Sequence, residues 1–100
     1  MTTNETALQS LHIVTRSPHG SDALGRCLQS VAQHDGVLLI EDGVYGSAIL
    51  ADVVSTQTIK AYVLQADLEA RHQRPNGLEI IDYDGFVQLC AQYSKTISWF

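Results

Sequence analysis

Positive charge is scarce in this chain of 100 residues, which has six Lys and Arg against eleven Asp and Glu. The basic residues are spread along the sequence, and the formal net charge is −5. Proteins bind nucleic acids and anionic membranes largely through clustered Lys and Arg. We therefore expect no direct nucleic-acid partner and no membrane partner.

Long apolar stretches are missing as well. No segment approaches the roughly 20 apolar residues of a membrane-spanning helix, and residues 1–10 lack the basic start and apolar stretch of a secretory signal. These absences favour a cytoplasmic protein. In that compartment we expect Cys27 and Cys90 to be reduced, unless one of them takes part in redox or transfer chemistry.

The common motifs of cofactor-dependent enzymes are also absent. The four histidines have no metal-ligand spacing, and neither a G-x-S-x-G elbow nor a dinucleotide-binding glycine fingerprint occurs. The segment from Gly20 to Cys27 comes close to a phosphate-binding loop, but Arg26 and Cys27 stand where that motif requires Lys and Ser or Thr. The hydrolase and dehydrogenase classes therefore lose their main support.

Short apolar runs, separated by helical patterns, make up the rest of the chain. The run from Val37 to Ile40 is apolar throughout, which is typical of a strand buried on both faces of a parallel sheet. The five predicted strands are Leu11–Val14, Val37–Ile40, Ile59–Leu64, Leu78–Ile81 and Thr96–Trp99.

Helical spacing of apolar residues predicts a helix after the first strand and another before the last. Ser21 is the expected N-cap of the first helix, and Asp82 or Asp84 that of the last. Shorter helices are predicted over residues 43–50 and 66–71. Strands that alternate with helices imply right-handed crossovers, so we expect an α/β fold: a three-layer α/β/α sandwich around a five-stranded, mainly parallel sheet. We assign residues 11–100 to one domain and residues 1–10 to a polar, flexible leader.

Cys27 lies about one turn into the first predicted helix, near the edge of the sheet where α/β proteins place reactive groups. Its position in the apolar stripe of Leu24, Leu28 and Val31 favours a buried core thiol. A reactive thiol needs exposure and a lowered pKa instead, and His19 in the preceding loop is the histidine that would tune it. The periodicity leaves both interpretations open.

Two adjacent carboxylates, Glu41 and Asp42, directly follow the second predicted strand. They fit a metal or acid–base site, or else Asp42 caps the next helix while Gly43 eases the turn. No His or third carboxylate stands at ligand spacing, which favours the capping role. The corresponding functional alternative is a small-ligand or nucleotide-binding domain that uses these carboxylates and the Pro18–Gly20 loop.

Four segments in register resemble the DsrH/TusB family of sulfur-relay subunits from about Leu11 to Trp99. They are Leu11–Val14 with Ser17-Pro18, Leu38–Tyr45, Val63–Arg71 and Ile81–Val87. The resemblance implies a Rossmann-like α/β/α domain that assembles with two related subunits, of DsrE/TusD and DsrF/TusC type, into a heterohexamer. It also implies sulfurtransferase chemistry, in which cysteine persulfide sulfur passes to an acceptor protein of DsrC/TusE type and no metal or organic cofactor is required. The pathway served is tRNA wobble-uridine 2-thiolation or intracellular sulfur oxidation.

The resemblance also implies a role for Cys27. The DsrH branch has a cysteine at this position on the first helix and some TusB members lack it, so Cys27 is the implied sulfur carrier and favours DsrH-like chemistry. The alternative is a non-catalytic structural subunit whose partner carries the sulfur. The apolar stripe of the first helix and the family resemblance together lead us to expect a Cys27 that is partly buried yet reachable by a partner. We expect Cys90 to be enclosed and inert.

Overall fold

Strands and helices alternate along residues 9–100, the part of the chain that the computed structural model describes. In chain order they are β1 (Ser10–Val14), α1 (Ala23–Ser30), β2 (Gly36–Leu39), α2 (Ser47–Val54), β3 (Lys60–Leu64), α3 (Gln65–Ala70), β4 (Glu79–Ile81), α4 (Tyr83–Gln92) and β5 (Lys95–Trp99). A 3-10 helix over Glu41–Gly46 joins β2 to α2. The predicted leader lies outside the described residues except for its last two positions, the second of which begins β1.

The five strands form one sheet in the order β4-β3-β2-β1-β5, and every neighbouring pair is parallel. Parallel neighbours need long crossover connections, which is why a helix follows each of the first four strands. The predicted α/β fold is confirmed, and the sheet is entirely parallel in the described residues where the sequence predicted a mainly parallel one. The apolar strand β2 lies at its centre, as its composition indicated.

Two apolar clusters lie on the two faces of the sheet, because successive strand residues point to opposite sides. One cluster joins Val14, Val37 and Val63 to α1, α2 and α3. The other joins Leu11 and Leu38 to Leu89 and Tyr93 of α4. The molecule therefore has three layers, with three helices on one face and α4 alone on the other.

The helices α1 and α4 differ in how they begin. Asp82 caps α4, since its Oδ1 accepts the N–H of Gly85 at 2.8 Å, as the sequence predicted. Ser21 does not cap α1: the helix begins at Ala23, and the Ser21 hydroxyl oxygen accepts the Ala23 N–H at 3.1 Å. A serine that bonds two residues ahead forms a local turn, and that turn displaces the start of the helix.

Helix length is modest throughout, with α4 the longest at ten residues. Within residues 9–100 no helix is both long enough and apolar enough to cross a bilayer.

Candidate functional site

Helix α1 places Cys27 inside the protein. The apolar stripe of α1 faces the sheet, and Ala23, Leu24 and Cys27 are its buried positions. Cys27 has no exposed surface and belongs to the cluster that includes Val14 and Val37. The thiol is therefore closed off from solvent and from any other protein in this conformation.

Burial also sets the chemistry of this thiol. Burial, together with a smaller effect of the negative charge of Asp35, raises the pKa of Cys27 from 9.0 to about 12. Only the thiolate is a competent nucleophile, and a pKa near 12 leaves roughly one thiol in 100,000 ionised at pH 7. In the enclosed state Cys27 behaves as a core residue.

The two cysteines differ from the expectation in opposite directions. Cys27 was expected to be partly buried and reachable, and it is fully enclosed because the α1 stripe packs directly on the sheet. Cys90 was expected to be enclosed, and it is partly exposed at the flank of α4. Burial raises the pKa of the Cys90 thiol as well. The predicted role of Cys27 as sulfur carrier stays a prediction.

A buried polar network lies beside this cluster and joins β1 and β5 to Asp35, the residue that precedes β2. His12 Nε2 is 2.9 Å from Asp35 Oδ2, and Trp99 Nε1–H donates to His12 Nδ1 at 3.0 Å. Asp35 also accepts the backbone N–H groups of Ser10 and Ala32, at 3.1 and 3.0 Å. Because the indole can only donate, His12 Nδ1 accepts in this contact, and Nε2 is the ring nitrogen that donates to Asp35.

The carboxylate of Asp35 is the anchor of this network. Burial alone would raise its pKa, but the hydrogen bonds from Ala32, His12 and Ser10 outweigh burial and hold the pKa of Asp35 below its ordinary value. No buried side-chain polar atom in residues 9–100 lacks a hydrogen-bond partner. The network thus keeps a charged group inside the protein with every donor and acceptor satisfied.

Arg26 and Trp99 form a contact next to Cys27 at the end of β5. The Arg26 guanidinium lies 5.8 Å from the centre of the Trp99 ring, and its Nη2–H donates to the backbone oxygen of Phe100 at 2.6 Å. Asp22 accepts from Arg26 Nε at 3.0 Å. Trp99 itself packs against the apolar cluster that contains Cys27. This contact closes the side of α1 that faces β5.

Of the two carboxylates after β2, Asp42 takes part in an ion-pair network and does not cap a helix, and Glu41 joins that network through its backbone N–H. Asp42 Oδ1 accepts from Arg71 Nε at 2.8 Å, and Arg71 Nη1 donates to Asp67 at 3.2 Å. The second carboxylate oxygen of Asp67 accepts the Glu41 N–H at 2.7 Å. The hydrogen bond that Arg71 donates to Asp42 raises the pKa of Arg71, and the charges of Asp42 and Asp67 add to this rise while burial opposes it. These contacts hold the 3-10 helix against α3.

Gly43 in the same turn has a strict role. A Cβ at this position would meet the backbone carbonyl oxygen of Val14, so the turn passes directly against β1. That carbonyl also accepts the N–H of Ile40 at 3.1 Å. The prediction that Gly43 eases the turn is thereby given a physical cause.

The Pro18–Gly20 loop of the alternative ligand site lies against the 3-10 helix that carries Glu41 and Asp42, and Asp42 is paired with Arg71. His19 is exposed with its ring against Tyr45, at 6.5 Å between centroids, and α1 already begins at Ala23 within the segment that resembles a phosphate loop. A groove of about 390 Å³ lies elsewhere, between α3 and β4. Its lining residues are Gln65, Leu68, Glu69, His72, Gln73, Pro75 and Ile80. Across residues 9–100, no three His, Cys, Asp or Glu side chains are grouped as a metal site.

Sequence reasoning missed both polar networks. Their members lie far apart along the chain: His12 and Trp99 are separated by 87 positions, and Asp42 and Arg71 by 29. The available signal was His12 itself, a lone polar residue in the apolar run of β1. A buried histidine requires partners on neighbouring strands, but the sequence does not show which residues supply them.

These features define a small, parallel α/β domain with an enclosed thiol on its first helix. The family model described as DsrH like protein matches residues 16–96, and the chain belongs to this family. The resemblance seen in the sequence is confirmed.

Relatives named Protein TusB match over nearly their whole length. The one from Pectobacterium parmentieri is 35% identical over 95 residues, covering 89% of this chain and 99% of the relative. Those from Erwinia tasmaniensis and Photorhabdus laumondii are 35% and 31% identical over 96 residues, with the same coverage.

Proposed function

We propose that this chain is a subunit of a cytoplasmic sulfur-relay complex that passes persulfide sulfur between proteins. The observation that supports it most strongly is the family membership over residues 16–96 together with TusB relatives that the chain covers almost end to end. Its partners are two related subunits of DsrE/TusD and DsrF/TusC type in a heterohexamer, and an acceptor protein of DsrC/TusE type. The net charge of −5 fits protein partners better than a nucleic acid.

The relay has a simple chemistry if Cys27 is the carrier. The Cys27 thiolate attacks the outer sulfur of a donor persulfide, so that a new sulfur–sulfur bond forms on Cys27 and the donor leaves as its thiolate. A thiolate of the acceptor then attacks the outer sulfur on Cys27, and the Cys27 thiolate is released. The two steps are exchanges of one sulfur atom, and they need no metal, oxidant or organic cofactor.

A structural role for this subunit is the second candidate, and the enclosure of Cys27 favours it. A thiol with no exposed surface and a pKa raised to about 12 cannot meet a donor persulfide in this conformation. On this alternative the domain completes the hexamer and a partner subunit carries the sulfur. The carrier role therefore requires a state of the protein in which Cys27 is exposed.

Loading the assembled complex with sulfur separates the two candidates. The complex is purified with its related subunits, incubated with a persulfide donor, and digested for mass spectrometry of the Cys27 peptide. A mass gain of one sulfur atom on that peptide supports the carrier role. Transfer to the acceptor that is unchanged in Cys27→Ala, with intact assembly and no mass gain on Cys27, supports the structural role.

Cys90 offers a matched control for that experiment. It is a second thiol of the same chain, on the opposite face of the sheet. Cys90→Ala should leave sulfur transfer unchanged under both candidates. A loss of transfer in Cys90→Ala equal to that in Cys27→Ala would contradict both.

Thiolation of the tRNA wobble uridine is the pathway that the TusB relatives favour. Deletion of the gene should then remove 2-thiouridine from tRNA, as measured by nucleoside mass spectrometry, and the gene for this chain should restore it. Unchanged 2-thiouridine would contradict this assignment and favour sulfur oxidation, the pathway to which the cysteine on α1 points.

A further inference from the structure

One side of α1 is closed by a side chain and not by another helix. α1 connects β1 to β2 and packs against β1 and β5, and β5 is the outer neighbour of β1. The helix that leads into β5 is α4, which packs on the opposite face. In the described residues the β5 flank of α1 is therefore left to Trp99, which is paired with Val14 in the sheet register and packs against the cluster of Cys27.

Three contacts hold Trp99 in this position. Its indole N–H donates to His12 at 3.0 Å, with the two rings stacked at 6.1 Å between centroids. The Arg26 guanidinium lies over the indole ring, and the same side chain binds the backbone oxygen of Phe100. Arg26 is next to Cys27 in sequence but points to the surface, so α1 presents the thiol inward and the residue that fixes Trp99 outward.

These contacts are easier to break than the rest of the fold. β5 is an outer strand that pairs with β1 on one side, and Trp99 is only half-buried. Turning the indole outward breaks one hydrogen bond, one cation–π contact and the packing of the ring on the apolar cluster, and it leaves the four strand ladders in place. Openings confined to a few such contacts occur far more often than global unfolding.

We infer that the Trp99 side chain is a movable cover over Cys27, held closed by Arg26 and His12, and that its displacement exposes the thiol. This inference rests on the proposed function, because it supplies the exposed state that a sulfur carrier requires. The free subunit keeps Cys27 closed, and the thiol becomes available only when the cover is displaced.

Thiol labelling tests the cover directly. In a Cys90→Ser background Cys27 is the only thiol, and its reaction with N-ethylmaleimide is followed by mass spectrometry in the folded protein. Arg26→Gln removes the cation over the ring and the bond to Phe100 without making a cavity. We expect it to raise the labelling rate of Cys27 about tenfold, as loss of a cation–π contact and a charged hydrogen bond would. Trp99→Ala should raise the rate further.

A control on the opposite face separates local opening from loss of stability. Leu89→Ala removes packing from the α4 cluster and leaves Trp99 and Arg26 untouched. Each labelling rate is compared with the equilibrium constant for global unfolding, obtained from urea denaturation of the same variant. The cover is supported if Arg26→Gln labels faster than Leu89→Ala at equal stability. It is overturned if the labelling rates of both variants follow the unfolding constant in the same way, or if Arg26→Gln labels at the parent rate.

The single tryptophan gives a second readout that does not depend on Trp99→Ala being folded. Trp99 is the only Trp of the chain, so its fluorescence reports the cover alone. Once N-ethylmaleimide occupies Cys27 the indole cannot return to its closed position, so the labelled protein should emit at longer wavelength than the unlabelled one, and an unshifted spectrum contradicts the inference.

The labelling and sulfur-transfer experiments test the cover and the carrier role separately. Faster labelling in Arg26→Gln without persulfide uptake supports the cover and overturns the carrier role of Cys27. Persulfide uptake by Cys27 at equal rates in Arg26→Gln and the parent, with equal labelling, overturns the cover and supports the carrier role.

Discussion

Cys27 and Asp35 are the two residues whose surroundings shape the chemistry of this protein. One is a thiol held neutral by an apolar cluster, and the other is a carboxylate held ionised by three hydrogen bonds. The charge of Asp35 adds to the burial of Cys27, so the same core opposes a thiolate on α1. Cys27 makes the free energy of unfolding depend on pH in the alkaline range, and Asp35 does so in the acid range.

Alkaline solution should destabilise the protein through Cys27. The folded pKa is raised to about 12 from 9.0, so the stabilisation is complete below about pH 9 and declines as the pH rises toward 12, because only the unfolded thiol ionises in that range. In urea denaturation from about pH 8 to pH 10, Cys27→Ala should show a flatter decline than the parent. Tyr93, whose pKa is also raised by burial, should preserve part of the decline. A Cys27→Ala curve parallel to the parent would count against an enclosed thiol.

Removal of the Asp35 carboxylate should be severe. Asp35→Ala leaves the N–H groups of Ser10 and Ala32 and the Nε2–H of His12 without an acceptor, which should lower the free energy of unfolding by about 3–5 kcal/mol. Asp35→Asn keeps one acceptor and should lose less. A loss below about 1 kcal/mol in Asp35→Ala, within the range of a surface substitution, would refute the network.

Acid should act on the same carboxylate. Because the folded pKa of Asp35 is lowered, its stabilisation is present above the unfolded value near 3.9 and is lost as the pH falls through the folded value. The acid-induced loss of stability should therefore be smaller in Asp35→Asn than in the parent, relative to each protein at neutral pH. Equal losses would show that other groups control acid unfolding.

At the scale of elements, the turn after β2 depends on a glycine. Gly43→Ala places a methyl group against the backbone carbonyl of Val14, and neither backbone segment can yield without breaking sheet contacts. We expect a loss of about 2 kcal/mol or more in the free energy of unfolding. Gly25→Ala is the matched control, since nothing lies within 4 Å of a Cβ there and the position is helical. It should gain about 0.5–1 kcal/mol; an equal loss in both variants would contradict the close approach.

The elements were largely predictable because their patterns are local. All five predicted strands occur, and the stripes of α1 and α4 place Cys27 and Leu89 on the faces that are buried. The errors lie at the ends of helices, where a single hydrogen bond determines the first residue of the helix. Ser21 makes a turn in place of a cap, and Asp42 binds Arg71 across 29 residues of sequence. Such choices depend on groups that come together only when the sheet has formed.

At the scale of the whole molecule, the order of the strands was not predictable from the sequence. Alternating strands and helices require a parallel sheet, but they do not place β5 beside β1. That pairing brings Trp99 to His12 and Arg26, and it closes the region around Cys27. The exposure of the candidate thiol thus depended on a long-range contact, and the sequence alone predicted it wrongly.

Sulfur transfer by the assembled complex tests the central claim most directly. A persulfide donor carrying radioactive sulfane sulfur is added to the two related subunits and the acceptor protein, with and without this chain. A sulfur-relay subunit should co-purify with its partners, and transfer to the acceptor should fall to background when it is left out. Full transfer without this chain, or its failure to join the complex, would contradict the account.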